Sequence, residues 1–487
     1  MATLSFGDVW QAICRGAPPG ELQARPITEV VIDSRLCQAG SLFVALPGEH
    51  TDGHLYVADA IANGAAGAFV RRVPEGIPPI TGIANAASGT WERPPADPST
   101  SPILFIVDDS LVALQELAAY WRRRFRPRVI GITGSVGKTS TKEVVAAVLS
   151  RQARVLKSQG NYNNEIGLPL TLLQLTEEHE YAVLEMGMYD LGEIARLCEI
   201  SQPHIGVVTN VGPTHLERLG TIERIAQAKS ELVQALPPGP EGVAILNGDD
   251  PLVAAMADKT AARVIFYGLT PRCELWADEI ESVGLQGIRF RVHHGEETLH
   301  VKVPLLGRHS VHTALRAMAV GLAVGIGWDE IIAGLQHISG QLRLVVVPGI
   351  HGSTIIDDTY NASPASSIAA LNLLADLQPG GEGRRIAVLG DMLELGSYET
   401  EGHVIVGRRA ADVVDKLITV GKRAEIIARE ALASGLSLED VTITHSNEEA
   451  LATLRLLLRE GDILLVKGSR AQRMEQIVNA LSQRSDG

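Results

Sequence analysis

The stretch GITGSVGKTST, residues 131–141, decides the fold of this 487-residue chain. It follows a short apolar run at residues 128–133 and leads into KTSTKEVVAAVLS, whose spacing of apolar residues predicts a helix. A glycine-rich turn between a strand and a helix directs backbone N–H groups and the positive end of the helix dipole toward one point. We therefore predict a phosphate-binding loop at the start of a nucleotide-binding domain.

The individual positions of the loop have different expected roles. Lys138 should hold the terminal phosphates of ATP, and the Thr139 hydroxyl should coordinate magnesium. The strict pattern has glycine at position 132, where this chain has Ile132, so the loop is a variant. The other residues expected to bind ATP here are Gly134, Ser135, Val136, Gly137 and Ser140.

Strand-like and helix-like segments alternate on the carboxyl side of the loop. YAVLEM, HIGVVTNV, GVAILN and RVIFYG come first, and STIIDD, RRIAVLGD, DKLITVG and DILLVKG follow after residue 352. This alternation predicts mostly parallel sheets covered by helices. On the amino side, short apolar runs and turns predict a small α/β domain, and residues 111–125 predict a connecting helix. Residues 83–102 have the composition of a surface loop, so we expect an insertion without a packed element.

The expected fold class is therefore α/β with three domains. Residues 1–108 form a small α/β domain, residues 109–342 a central phosphate-loop ATPase domain, and residues 343–487 a Rossmann-like domain.

Charge and composition exclude several classes of function. The 57 acidic residues outnumber the 43 basic ones, and the net charge of -14 argues against a nucleic-acid or anionic-membrane partner. The four cysteines form no CxxC pair, which argues against a zinc cluster or a dithiol redox site. The start of the sequence lacks a signal peptide pattern, and the most apolar stretch is too short to span a membrane. We expect a cytoplasmic protein without membrane insertion.

Polar residues collect where the predicted strands end, which is where ligands bind in open α/β sheets. Glu185 follows the run YAVL and could bind magnesium through its carboxylate oxygens. His215 could bind a metal or be a structural histidine in a turn. The amides of Asn161, Asn163 and Asn164 could bind ligands or make turns.

These segments, in this order, resemble the Mur ligase family of peptidoglycan synthesis over nearly the whole chain. The resemblance rests on the variant loop, NYNNEIGLP, Glu185, NVGPTHLE and the lysine of AKSEL, which is Lys229. It implies that the first domain binds a uridine diphosphate sugar through Asp33, Ser34 and Arg35. It further implies that Asn161 contacts ATP, that Asn163 and Asn164 contact substrate, and that two magnesium ions are bound. The implied metal ligands are Thr139, Glu185, His215 and a carbamylated Lys229.

Two later segments, DDTYNASP at 357–364 and LGDMLELG at 389–396, are similar to the member of this family that adds D-alanyl-D-alanine. The resemblance implies that Arg343 and Asp358 reach ATP when the domains close. Residues expected to contact the substrates in the third domain are Asn361, Ser363 and Pro364. The partners would be UDP-N-acetylmuramoyl-tripeptide and D-alanyl-D-alanine, and we expect a monomer.

The chain departs from the family pattern GxHNxxN, because residues 307–313 read GRHSVHT. Ser310 and Thr313 replace the two asparagines, and the second asparagine of the family contacts adenine. We still expect Thr313 to line the ATP site, but its hydroxyl cannot reproduce the contacts of an amide.

The expected reaction begins when a peptide carboxylate attacks the γ-phosphate of ATP, after which an amine displaces phosphate from the acyl phosphate. Lys138, Lys229 and His215 are the expected catalytic residues. A sister ligase that adds one amino acid, such as the third-residue Mur ligase or a folate polyglutamate synthetase, is an alternative. A phosphate-loop switch protein is another, and it would hydrolyse ATP without a carboxylate acceptor.

Overall fold

The structure is a computed structural model that describes residues 3–14, 16–48, 51–338 and 344–483. The chain divides into two compact units that each contain several segments. One comprises Met1–Gly131, Ala153–Gly187 and Glu193–His204, and the other Ile132–Gln152, Met188–Gly192 and Ile205–Gly487. None of the helices in the described ranges has the length and apolar composition of a transmembrane segment.

The helices in chain order are α1 Phe6–Ile13, α2 Val57–Ala62, α3 Ser110–Arg123, α4 Lys138–Leu149, α5 Gly167–Leu172, α6 Glu193–Ser201, α7 Leu216–Leu219, α8 Ile222–Gln234, α9 Pro251–Ala254, α10 Val311–Ala323, α11 Trp328–Gln336, α12 Pro364–Asp376, α13 Glu399–Val413, α14 Glu425–Ala433, α15 Asn447–Leu457 and α16 Glu475–Leu481. The strands are β1 Val30–Val31, β2 Leu42–Val44, β3 Gly67–Val70, β4 Gly82–Asn85, β5 Thr90–Arg93, β6 Ile103–Ile106, β7 Arg128–Thr133, β8 Val155–Lys157, β9 Tyr181–Glu185, β10 Ile205–Val208, β11 Val243–Asn247, β12 Arg263–Gly268, β13 Leu275–Ser282, β14 Ile288–His294, β15 Glu297–Val303, β16 Val345–Pro348, β17 Thr354–Asp357, β18 Arg385–Gly390, β19 Lys416–Val420, β20 Val441–Thr444 and β21 Ile463–Lys467.

The first unit contains a six-stranded sheet in the order β1-β2-β3-β6-β4-β5. Its strands are parallel except β5, which runs antiparallel to β4. Strands β2, β3 and β6 are almost continuously apolar and buried, as expected for strands that are covered on both faces. The predicted connecting helix is confirmed as α3, whose Leu111 and Val112 N–H groups donate to the capping side chain of Asp109.

The expectation that residues 83–102 form an insertion without a packed element is wrong. Ile83 and Ala84 belong to β4, are buried, and pair with β6, while β5 forms the edge of the sheet. The Trp91 ring of β5 packs against Trp10, with ring centroids 5.2 Å apart. Composition was misleading because the proline- and serine-rich part, residues 94–101, follows the hairpin and hides its short apolar strand.

In the second unit, the helix predicted after the phosphate loop is confirmed as α4. It packs against α10 and α11 through glycines: a Cβ on Gly334 of α11 would approach Val148 Cα to 2.6 Å, and one on Gly321 of α10 would approach Val148 Cγ1 to 3.3 Å. Strands β10, β11, β12 and β13 pair in parallel, which confirms three of the predicted strands. The antiparallel strands β14 and β15 extend this sheet. Close packing of α10 and α11 around Val148 therefore holds the C-terminal part of α4.

A six-stranded sheet near the carboxyl end has the order β16-β17-β21-β18-β19-β20, and only β16 is antiparallel to its neighbour. The four strands predicted after residue 352 are confirmed as β17, β18, β19 and β21. One face is covered by apolar residues of α12, α13 and α14, and the other by residues of α15 and α16. This layered arrangement is the Rossmann-like architecture expected from the alternating pattern.

Candidate active site

The phosphate loop joins β7 to α4 in a backbone conformation that depends on glycine. Gly134 and Gly137 have φ angles of +143° and +87°, and Gly137 is the N-cap of α4. Lys138 Nζ donates a hydrogen bond to Gly134 O at 2.7 Å, so the ammonium group lies over the loop. N–H groups and a cation thus converge at a helix N-terminus, which is an arrangement that binds phosphate.

Two residues after β10 hold this loop, although neither was singled out from the sequence. Asn210 accepts a hydrogen bond from Val136 N at 2.9 Å through Oδ1 and donates to Val136 O at 3.1 Å through Nδ2. Thr209 Oγ1 donates to the same carbonyl at 2.7 Å. Ser135 Oγ donates to Gly212 O at 3.1 Å. The Ser135 hydroxyl therefore links the phosphate loop to the segment that follows β10.

Replacing Gly134 by alanine should damage this loop. A Cβ would collide with Thr209 Oγ1, and the positive φ is itself unfavourable for alanine. We expect a loss of about 1–3 kcal/mol in the free energy of unfolding and a strongly reduced affinity for ADP, measured by urea titration and calorimetry. Gly325→Ala is a suitable control, because Gly325 also has a positive φ of +83° but has open space around its Cβ position. Equal affinity of Gly134→Ala and wild type for ADP would contradict the assignment.

Lys229 lies in α8 and is buried, with 2% of its surface exposed. Burial, and secondly the positive charge of Lys138, hold the pKa of Lys229 well below its usual value. Burial thus disfavours the charged ammonium form of Lys229, and the neutral amine is the form that reacts with carbon dioxide. Lys229 is therefore a buried lysine with a lowered pKa rather than a cation on the protein surface.

Thr313 is buried on α10 and its hydroxyl accepts a hydrogen bond from Arg316 Nη2 at 2.8 Å. Ser310 Oγ donates to Leu306 O at 2.6 Å, which is a local bond within the turn before α10. The two residues that replace the family's asparagines therefore make polar contacts inside their own segment. Arg316 was not predicted from the sequence as a site residue.

In the first unit, Glu185 ends β9 and its side chain is fully buried. Asn163 Nδ2 donates to Glu185 Oε1 at 2.9 Å, so these two predicted residues lie together. Asn164 Oδ1 accepts from the N–H groups of Ile166 and Gly167 and thereby starts α5. Asn161 is exposed, and its carbonyl accepts a bond from Asn163 N at 2.8 Å. The turn-making role considered for the asparagines is therefore clearest at Asn164.

His215 precedes α7 in a left-handed conformation with φ +58°. Its Nδ1 lies 2.8 Å from Glu394 Oε2, and Glu394 also has a positive φ, of +63°. The ring packs edge-on against Tyr189, with centroids 5.1 Å apart. The contact with His215 lowers the pKa of Glu394 below its usual value. Glu394 belongs to LGDMLELG, so this segment lies against the histidine.

The donors fit a hard divalent cation in chemical type, because the Glu185 carboxylate and the Thr139 hydroxyl both offer oxygen. Within the described ranges, no three His, Cys, Asp or Glu side chains come together in a way that could hold a metal. A carbamate on Lys229 would add a further oxygen ligand to those that the unmodified residues supply.

In the third predicted domain, Asp358 and Asn361 lie together around a buried lysine. Lys467 Nζ is 2.6 Å from Asp358 Oδ2 and donates to Asn361 O at 2.9 Å. Ser363 caps α12 through its hydroxyl, and Pro364 is the first residue of that helix. Arg343 lies outside the described residues. Lys467 was missed because its partners are more than 100 positions away in the sequence.

Replacing Lys467 by methionine should destabilise the protein strongly. Its side chain is 2% exposed and that of Asp358 15%, so the change leaves a carboxylate without its buried partner. We expect a loss of about 3–5 kcal/mol in the free energy of unfolding, measured in urea. Lys416→Met is the matched control, because the Lys416–Asp440 pair is 25% and 27% exposed, and we expect it to lose only about 0–1 kcal/mol. Equal losses would mean that burial does not strengthen the Lys467 pair.

The predicted sugar-binding residues form a local cluster in the first unit. Asp33 caps the turn of residues 34–36, and Arg35 Nη2 lies 2.6 Å from Asp33 Oδ2. Hydrogen bonds from Arg35 lower the pKa of Asp33 to about 2. The Arg35 side chain is 86% exposed, so it can turn toward a ligand. Ser34 is partly buried, and its carbonyl accepts a bond from Asn63 at 3.0 Å.

Three stretches of the chain match domains of one protein family. Residues 26–122 match the Mur ligase family catalytic domain, residues 132–321 the Mur ligase middle domain, and residues 342–470 the Mur ligase glutamate ligase domain. These matches follow one another along the chain in the order of the three predicted α/β domains.

The chain is similar over its length to two curated ligases. The UDP-N-acetylmuramoyl-tripeptide--D-alanyl-D-alanine ligase of Bacillus subtilis is 36% identical over 456 residues, which are 93% of this chain and 92% of that protein. The ligase of the same name from Escherichia coli is 36% identical over 473 residues, covering 95% of this chain and 96% of that protein.

Solved structures show the same similarity. MurF from Acinetobacter baumannii has a TM-score of 0.81 at 31% identity and covers 99% of both chains. The MurF ligase of Thermotoga maritima in complex with ADP has a TM-score of 0.77 at 28% identity, over 93% of this chain and 96% of that chain. The three-domain α/β fold class is thereby confirmed. From its phosphate loop, its fold and its full-length similarity, this chain belongs to the Mur ligase family.

Proposed function

We propose that this chain is an ATP-dependent amide ligase that joins D-alanyl-D-alanine to UDP-N-acetylmuramoyl-tripeptide in peptidoglycan precursor synthesis. The observation that carries the proposal is the combination of the phosphate loop with a buried lysine, Lys229, whose pKa is held low. A phosphate-loop switch protein has no need of that lysine. The full-length similarity to ligases of this specificity supports the choice of substrates.

The reaction divides into two steps. The terminal carboxylate of the tripeptide attacks the γ-phosphate of ATP, so that an acyl phosphate forms and ADP leaves. The amine of D-alanyl-D-alanine then attacks the acyl carbon and releases phosphate. Positioning and charge neutralisation provide most of the acceleration in phosphoryl transfer. Lys138 and the N–H groups of the loop hold the phosphates during the first step.

We propose that Thr139, Glu185, His215 and a carbamylated Lys229 hold two magnesium ions, which would neutralise charge on the phosphates. Carbon dioxide adds to the unprotonated Lys229 amine, one N–H proton is released, and the resulting carbamate carries two oxygen atoms and a negative charge. The position of Glu185 at the carboxyl end of β9 supports its part in the proposal, because carboxylate oxygens are ligands that magnesium prefers.

The remaining assignments follow the family resemblance. Asp33, Ser34 and Arg35 bind the uridine diphosphate sugar, and Asn163 and Asn164 contact its peptide. The contacts to ATP beyond the loop come from Asn161, Thr313, Arg343 and Asp358, and those to the dipeptide from Asn361, Ser363 and Pro364. We propose domain boundaries at residues 108 and 342. We also propose a cytoplasmic monomer, and the four free cysteines are consistent with a reducing compartment.

The acyl phosphate makes a specific isotopic prediction. If the tripeptide carboxylate carries ¹⁸O, one labelled oxygen should appear in the phosphate that is released during turnover. The phosphate is analysed by mass spectrometry, with unlabelled tripeptide as the control. Turnover that leaves the phosphate unlabelled would contradict the acyl phosphate route while leaving ATP dependence intact.

The choice of amine separates this function from its sister ligases. We expect D-alanyl-D-alanine to stimulate phosphate release and single amino acids, including glutamate and diaminopimelate, to have little effect. Stimulation by a single amino acid would move the chain to a ligase that acts at another position.

A further inference from the structure

Arg316 is a buried cation on α10, in the same unit as the phosphate loop, with 4% of its surface exposed. Nη2 donates to Thr313 Oγ1 at 2.8 Å, and Nη1 lies 3.4 Å from the hydroxyl oxygen of Tyr267. The guanidinium carbon is 5.8 Å from the centroid of the Tyr267 ring. The Nε atom is buried and has no hydrogen-bond acceptor within the described part of the chain.

The charge of Arg316 is compensated differently from that of two other arginines. Arg384, whose side chain is 17% exposed, is bound by the carboxylate of Asp462 at 2.7 Å. Arg122, also 4% exposed, donates to the carbonyls of Ser201 and Phe125 at 2.9 and 3.1 Å. Among the described residues, no carboxylate forms an ion pair with Arg316. A buried cation without a counter-charge is unfavourable, so an anion from outside the chain would stabilise it.

The position of Arg316 indicates which anion would stabilise its charge. Its Nη2 atom would lie 3.2 Å from a Cβ on Gly137, the N-cap residue of the phosphate-loop helix α4. The guanidinium is therefore beside the point where the loop N–H groups and Lys138 converge. Arginine binds phosphate oxygens well, because its planar group donates two parallel hydrogen bonds.

We propose that Arg316 binds the phosphate chain of the nucleotide. The inference rests on the proposed ATP site and adds a residue that the family resemblance did not supply. It also gives a role to Thr313, whose hydroxyl orients the guanidinium instead of providing the amide contacts of an asparagine. Nucleotide affinity in this chain then depends more on phosphate and less on the base.

The test is the Arg316→Met variant of the full chain, which keeps much of the side-chain volume and removes the charge. Affinities for ADP and for inorganic tripolyphosphate are measured by calorimetry without added magnesium, and thermal unfolding is measured without ligand. We expect both affinities to fall by about 10- to 100-fold, the usual effect of losing a charged hydrogen bond. The unfolding midpoint without ligand should stay the same or rise, because an uncompensated buried charge has been removed.

Arg122→Met is the matched control, since it removes an equally buried arginine whose donors are satisfied. We expect it to lower the unfolding midpoint and to leave the affinities unchanged. Arg316→Lys should restore part of the lost affinity by restoring the charge. If Arg316→Met lost stability in the same way and kept its affinities, Arg316 would be structural and the inference would be overturned.

Three further outcomes would also overturn it. If Arg316→Met weakened ADP but left tripolyphosphate unaffected, the contact would be with the nucleoside rather than with the phosphate chain. If the wild-type chain bound neither ligand, the proposed nucleotide site itself would fail. If wild type and Arg316→Met bound ADP and tripolyphosphate equally well, the role of Arg316 would be rejected but the nucleotide site would not. Arg316→Gln provides a second neutral variant if the methionine variant does not fold.

Discussion

Lys138→Ala should reduce ATP-dependent phosphate release by at least about 100-fold, the usual effect of removing a group that stabilises charge in a transition state. Lys138 is the first residue of α4, and its ammonium lies over the loop at 2.7 Å from Gly134 O. In the proposed reaction the γ-phosphate would be held beside this ammonium group, and no other lysine belongs to the loop. The defect should be mainly in kcat, because the charge matters most during phosphoryl transfer.

Lys302→Ala is a suitable control, since Lys302 is an exposed residue of the β15 strand in the same unit. It should leave kcat and the KM for ATP unchanged. Circular dichroism and urea unfolding would show that both variants are folded. Near-normal turnover of a folded Lys138→Ala protein would remove the phosphate loop from the mechanism.

Lys229→Ala should lose nearly all activity, and a small carboxylate such as formate should restore part of it. The wild-type residue is buried, and its pKa is held low, first by burial and then by Lys138. If carbon dioxide has converted it to a carbamate, the alanine variant lacks a negative group that an added carboxylate can replace. Rescue should rise with formate concentration and reach a plateau as the cavity fills.

Two controls separate this chemistry from a structural role. Lys229→Met should be inactive without rescue, because the longer side chain fills the space that formate needs. In wild type supplied with ¹³C-labelled bicarbonate, a carbamate carbon signal should appear by NMR and should be absent from Lys229→Ala. An alanine variant with full activity, or a wild type without that signal, would show that the carbamate assignment is wrong.

Local sequence patterns predicted the parts of the fold that depend on local physics. The strand at residues 128–133 and the helix from Lys138 were predictable, because a buried apolar run, a glycine turn and helical periodicity lie next to one another. The strand β4 was missed, because its four residues include a glycine and an asparagine and are followed by a proline-rich segment. Burial against β6 makes it a strand, and that contact cannot be read from its own sequence.

In the candidate site, too, contacts between distant segments could not be predicted from the sequence. Lys138 and Thr139 were identified from spacing, since a phosphate loop is one continuous segment. Glu185 and His215 were predicted from their places after the predicted strands, and Lys229 was predicted through the family resemblance. Residues that act through distant partners were missed. Asn210 holds Val136, 74 positions away, and Lys467 holds Asp358, 109 positions away. Glu394 was quoted within its motif, but only the structure places it against His215.

The most direct test of the proposed reaction is phosphate release from ATP with UDP-N-acetylmuramoyl-tripeptide and D-alanyl-D-alanine, each omitted in turn, with the product mass recorded. We predict phosphate release and a product of pentapeptide mass only when both substrates are present. Phosphate release that is equally fast when both are omitted, with no joined product in the complete mixture, would contradict the ligase and favour a phosphate-loop switch.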